Sequence, residues 1–257
     1  MQYTPYLLTL LVFFSFLFPS ARLNAQSRHI PMETDRPDQT ECASTVPALH
    51  LQGEHGFSIE VEKLERHYRH PSSLLRFGVS DRVELRLAAE PFSGGHGAIV
   101  HTSLAPVELG FKVALFDEHG WVPQTAFIGH LNLGRLATKD EQVPFTSPAF
   151  RFALAYDLGS GTGLGINLGS EMDGHNATMI FLYTLAFSVD LDEHFGAYVE
   201  IYGDDPEGSH PASHSFDGGL TLLVSPNLQF DVSGGVGLVD IALDYFAGVG
   251  VSWRLPR

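Results

Sequence analysis

From Pro47 to the end of the chain, apolar residues recur at every second position with little interruption, a spacing that suits β-strands with two unlike faces. In the last segment Leu243, Tyr245, Ala247, Val249, Val251 and Trp253 alternate with Asp244, Phe246, Gly248, Gly250, Ser252 and Arg254. The segment before it interleaves Leu228, Phe230, Val232, Val236 and Leu238 with Gln229, Asp231, Ser233, Gly235 and Gly237, and 82–88, 107–115 and 150–157 repeat the pattern. One face is oily and the other small or charged. This reading predicts about twelve strands, near 49–68, 73–80, 82–91, 104–116, 121–133, 147–158, 162–171, 176–190, 194–203, 213–224, 227–238 and 241–254. The connections between them mostly alternate between short turns, such as Ser80-Asp81 and Ser225-Pro226, and longer stretches such as PFSGGHG, LATKDEQVPF and DDPEGSHPA. That is the signature of an up-and-down antiparallel barrel with one turn end and one loop end. A soluble sandwich also alternates, but its polar face has no reason to be glycine-rich and to carry both signs of charge.

The N-terminus adds a compartment. Leu7 to Phe18 is a short apolar run closed by Pro19 and followed by a polar stretch ending at Ala25, as in a cleaved export signal, so residues 1–25 are expected to be removed. The run is too short for a spanning helix, and no other window of the chain is apolar enough for one. A membrane-spanning mature chain must therefore be a closed transmembrane β-barrel, the one strand-built solution that satisfies every backbone group in lipid. Residues 26–47 are polar, hold three prolines and show neither period, which makes them a short polar N-terminal arm ahead of a barrel at 48–257. The arm either hangs in the periplasm or folds back as a lumen plug, with Asp35, Arg36 and Asp38 bonded to inner groups such as Arg86 or Glu84.

Composition narrows the function classes. A formal charge of −15, from 15 Lys+Arg against 30 Asp+Glu, repels phosphate backbones, so no nucleic-acid partner is expected. The single cysteine, Cys42, excludes an internal disulfide framework and cysteine-cluster metal sites.

The residues themselves resemble a known family. Glu33-Thr34-Asp35-Arg36-Pro37-Asp38-Gln39-Thr40, Val46-Pro47, Leu51-Gln52-Gly53-Glu54-His55-Gly56, the run from Leu75 to Arg86, Gly110-Phe111-Lys112 and Gly250-Val251-Ser252-Trp253-Arg254 are similar to bacterial outer-membrane barrels named for a meta-pathway of phenol degradation and labelled as transporters. The resemblance spans nearly all of the mature chain. It implies the outer membrane of a Gram-negative bacterium and passage of small, aromatic or hydrophobic molecules, without assigning substrate-binding residues. Trp253 is followed by Arg254-Leu255-Pro256-Arg257, a departure from the commonest outer-membrane ending. The partners expected are outer-membrane lipid, the barrel insertion machinery and a small-molecule solute of unknown identity.

The alternation assigns a lumen lining of Glu60, Glu62, Arg76, Glu84, Arg86, Glu108, Lys112, Arg151, Glu200, Asp217, Asp231 and Asp244. Such charges persist only when paired or hydrated, so they either form a net-negative pathway for cations and neutral solutes or brace and block the barrel. Three other classes compete with transport: a non-conducting structural or surface-interaction barrel, a soluble binding sandwich, and a barrel phospholipase. For the last, His101 and Ser103 share a strand face, but their neighbours lack the glycine- and asparagine-bearing motif of such enzymes. No cofactor fingerprint stands out, since GSGTGLG at 159–165 sits at a turn between strands. The pairs His67/His70 and His210/His214 have ligand spacing only on a helix or well-formed turn, so no metal is expected.

Overall fold

A computed structural model describes residues 31–63, 65–95, 101–208 and 211–255. The export segment expected over 1–25, the first residues of the arm and His210 lie outside them.

The strands are β1 (Leu51–Glu62), β2 (Glu65–Ser80), β3 (Val83–Ala89), β4 (Pro91–Gly95), β5 (His101–Leu104), β6 (Val107–Phe116), β7 (Gln124–Leu133), β8 (Ser147–Gly159), β9 (Thr162–Met172), β10 (Met179–Asp190), β11 (Phe195–Pro206), β12 (Ser213–Ser225), β13 (Leu228–Gly237) and β14 (Tyr245–Leu255). Each pairs antiparallel with its neighbours. Leu51 to Val61 pairs with Leu255 to Tyr245, and β1 also pairs with β2, so the sheet closes on itself. Twelve strands form the ring, while β4 and β5 stand beside it as an extra hairpin on β2. Closure leaves the ring without an edge, as lipid demands.

The faces are inverted relative to a water-soluble protein. Leu85, Leu109, Leu168, Leu220 and Val249 are 48–53% exposed on the outside, whereas Glu54, Arg76, Glu84 and Lys112 inside are 0% exposed. Water would penalise the first set by about 25 cal/mol per Å² of apolar surface, and hydrocarbon removes that penalty. Rings on neighbouring strands also pack against one another at a tilt: Phe127 lies 6.0 Å from Phe111 and 5.3 Å from Phe152. A soluble sandwich is excluded by this inversion together with closure.

Two sequence expectations need correction. The first strand does not run to 68. The chain turns at Lys63, which has φ 46, and β2 begins at Glu65, carrying Pro71 beside a register shift between Gly56 and Ser58. Proline fits there because a bulge frees it from the ladder. The stretch beginning PFSGG is not loop but β4. Beyond Ser73, β2 outruns β3, and Arg66 to Arg69 offer a bare edge that Gly95 to Phe92 fill. Between β7 and β8 the chain makes two single 3-10 turns, Gly134–Leu136 and Lys139–Glu141.

Candidate functional site in the lumen

The arm threads the barrel. Its first described residues lie against β1 and β13, where Gln52 Nε2 donates to the Glu33 carbonyl at 2.8 Å and Gln229 Nε2 to Thr34 Oγ1 at 2.9 Å. It crosses to β9, β10 and β11 at Gln39 to Glu41, and returns to the foot of β2 and β3 at Val46 and Pro47. A segment without secondary structure must satisfy its backbone elsewhere. Here wall side chains do so: Asp35 N donates to Glu54 Oε2 at 2.9 Å, Gln39 N to Glu200 Oε2 at 2.8 Å, Glu41 N to Asn167 Oδ1 at 2.8 Å and Val46 N to Glu84 Oε2 at 2.8 Å. Lys112 Nζ donates to the Cys42 carbonyl at 2.9 Å and Arg76 Nη2 to that of Ser44 at 3.1 Å.

Asp35 is the centre of the electrostatics. Its carboxylate takes Arg86 Nη1 at 2.6 Å, Lys112 Nζ at 2.9 Å and Arg76 Nη1 at 3.3 Å, all from the wall and all buried. Burial pushes its carboxyl upward, but the charges of Arg76, Lys112 and Arg86 overcome this and hold it well below the usual range. Glu84 and Glu54 balance the same cations, at 2.9 Å and 3.0 Å from Arg76. Glu41 forms an ion pair with Arg86 at 2.9 Å and reaches Arg151 at 3.5 Å. Burial and the Asp35 charge push the Cys42 thiol up to about 12, so it stays protonated and unreactive.

The opposite corner is built differently. Burial, then Glu200, with Asp217 and Asp35 adding to it, drive the Asp38 carboxyl well above its ordinary value. Glu200 accepts from the Gln39 amide and Thr40 hydroxyl, and the buried Asp217 carboxyl faces it from β12. Arg36 is set between these corners, 3.0 Å from Asp231. Its guanidinium lies over Gly56 and Gly250, where a Cβ would collide with it. Small residues on the inner face thus make room for the arm. Ala43 likewise sits among Ala126, Ile128 and Ala153.

The sequence-assigned lining divides by height. Arg76, Glu84, Arg86, Lys112, Glu200, Asp217 and Asp231 are buried around the arm. Glu60 lies nearer the loop end, paired with Arg69 at 2.5 Å, and Glu108 and Arg151 line a cavity of about 230 Å³ there. Glu62 and Asp244 are corrected from lumen to rim. Glu62 is the last residue of β1 and faces Lys63 at 3.3 Å, while exposed Asp244 precedes β14 and accepts the Lys63 amide at 2.9 Å. Alternation continues past the last paired residue, so it marks a face without marking where the wall stops. Sequence reasoning missed Glu54, in phase with Glu60 and Glu62, and Glu41, which no period marks. His70 bonds Ser93 at 2.7 Å, and no group of His, Cys, Asp and Glu among the described residues is arranged to hold a metal.

Comparison with curated proteins finds no match. Solved structures share the fold. An outer membrane channel from Pseudomonas putida F1 superposes with a TM-score of 0.63 at 9% identity, covering 87% of this chain and 100% of that one. The KdgM porin in complex with disordered oligogalacturonate gives 0.53 at 10%, covering 81% and 100%. The sequence profile of one family matches residues 34–255, from within the arm to the last residue of β14. The chain therefore belongs to the outer-membrane barrel family described as "Putative MetA-pathway of phenol degradation".

Proposed function

We propose that this protein is a Gram-negative outer-membrane barrel for the passage of small molecules, exported by its first 25 residues and held closed at rest by its own arm. It carries no catalytic role, and insertion relies on the barrel assembly machinery. The observation that carries this reading is the charged inner wall, whose buried groups bond to a removable segment of chain and not only to one another. A barrel meant only as a scaffold has no need of a lumen organised around an insert tied by polar contacts on so many strands. Family membership supports the same reading, as does the shared fold of a channel and a porin.

The test is conductance. The full chain in planar bilayers is expected to give small or rare openings, and a variant lacking residues 31–46 large and steady ones, with heat-modifiable gel mobility retained. Equal conductance of the two forms, or none from either, overturns the proposal in favour of a non-conducting barrel.

A further inference from the structure

We propose that the loop-end cavity between β6, β7, β8 and β9 binds a small neutral solute, of about one six-membered ring, that carries several hydroxyl groups. The inference rests on the passage function above and names the solute class it serves.

The cavity encloses about 230 Å³ and adjoins a second of about 360 Å³, with which it shares Pro106, Glu108 and Asn132. A cavity of about 150 Å³ is enough to hold benzene, so the smaller cavity takes one ring with substituents. Cross-strand register builds its polar row: Glu108 pairs with Asn132 and Asn132 with Ser147. Arg151 and Glu171 come from the next rows of β8 and β9. Three buried polar atoms there have no partner among the described residues: the Ser147 hydroxyl, the Asn132 carbonyl oxygen and Arg151 Nε. Ser147 is only 4% exposed. Buried polar atoms in native proteins are nearly always satisfied, so three orphans around one cavity point to a bound group that supplies both donors and acceptors.

Their chemistry selects the ligand. Arg151 Nε and Ser147 offer hydrogens, whereas Asn132 Oδ1 and the carboxylates of Glu108 and Glu171 accept them. An anion has nothing to give Asn132 and meets the carboxylates of Glu108, Glu171 and Asp173, the last of which already accepts from the His175 amide and Asn176. An ammonium gives nothing to Arg151, whose charge it also meets. Hydroxyl groups donate and accept at once, and carry no charge into a site where Arg151 is already shared with Glu41 at 3.5 Å.

Calorimetric titration of the full-length protein in detergent tests this with four probes of one ring size: myo-inositol, cyclohexanol, cyclohexanecarboxylate and cyclohexylamine. Myo-inositol is expected to bind at least tenfold more tightly than the others. Ser147→Ala and Asn132→Leu are each expected to weaken it about tenfold, with gel mobility unchanged. Equal affinity for all four probes, or inositol affinity unaltered by both substitutions, overturns the site. Liposome uptake of inositol by the variant lacking residues 31–46 separates the two claims: binding to the full chain without uptake by the variant keeps the site and refutes passage, whereas uptake by the variant without binding to the full chain refutes the site.

Discussion

At the scale of single residues, the arm is held by two corners that respond oppositely to protons. Asp35 serves three buried cations at once, and removing one partner of a buried pair typically costs about 3–5 kcal/mol because the others stay charged and uncompensated. Asp35→Asn is therefore expected to loosen the arm while the closed ladder keeps the barrel intact. Single-channel recording should show longer openings, and wild-type conductance would contradict the assignment. The pH response follows from the directions of the shifts. Asp35 is depressed when docked, so its contribution is present above the free carboxylate value near 3.9 and is lost only as pH falls toward the docked value. Asp38 is raised when docked, so docking takes up a proton there. That contribution is complete below about 3.9 and is lost as pH rises through the docked value. As pH falls through the docked value of Asp38 toward about 3.9 the Asp38 corner tightens, with Glu200, Asp217 and Asp35 facing it, while the Asp35 corner is unchanged. Conductance of the full chain is expected to fall across that range, and Asp38→Asn to flatten the response. A rise on acidification would refute this account.

At the scale of elements, the β4–β5 hairpin is the part of the wall with least support. Among the described residues β5 pairs only with β4, and its end is capped by Thr138, which accepts through its hydroxyl from the Leu104 amide at 2.6 Å and donates through its own amide to the Leu104 carbonyl at 3.0 Å. Thr138→Val leaves the amide bond and deletes the hydroxyl, a loss of about 1 kcal/mol. Hydrogen exchange at the Leu104 amide is expected to quicken, with β9 to β12 unaffected; uniform change across the barrel would refute a local role. The hairpin also shows where sequence reading stops. The ring strands were legible because one face meets hydrocarbon and the other the lumen, which writes a period of two into every segment. PFSGG has no such pattern, and its pairing depends on how far β2 outruns β3, a fact of register and not of local propensity. The turn at Lys63 was hidden in the same way, since Glu62, Lys63 and Glu65 carry no glycine or proline to mark it. Within the site, Asp35, Arg36 and Arg86 were readable as buried charges seeking partners. The path of the arm was not, because the bonds that fix it join residues up to 195 positions apart.

At the scale of the whole molecule, the inner wall has a sign. Glu54, Glu84, Glu108, Glu171, Glu200, Asp217 and Asp231 stand on paired strands, against Arg76, Arg86, Lys112 and Arg151, with Glu60 paired to Arg69. Among its described residues the docked arm adds Glu33, Asp35 and Glu41 to that surplus and returns Arg36, while Asp38 is held toward its neutral form. Removing it thus leaves a lumen less acidic than before but still with more carboxylates than cations. Walls of one sign in a narrow water-filled passage exclude ions of that sign, and screening over about 10 Å at 0.1 M salt cannot cancel the field across such a lumen. The variant lacking residues 31–46 is therefore expected to be cation-selective under a potassium chloride gradient, and more so at 0.1 M than at 1 M salt, where the screening length shrinks to about 3 Å. Charge reversal at one step of the wall, Glu84→Lys with Asp231→Lys, should move the reversal potential toward chloride. Anion selectivity in the unaltered lumen, or a reversal potential indifferent to those two changes, would mean that ions do not pass by this wall.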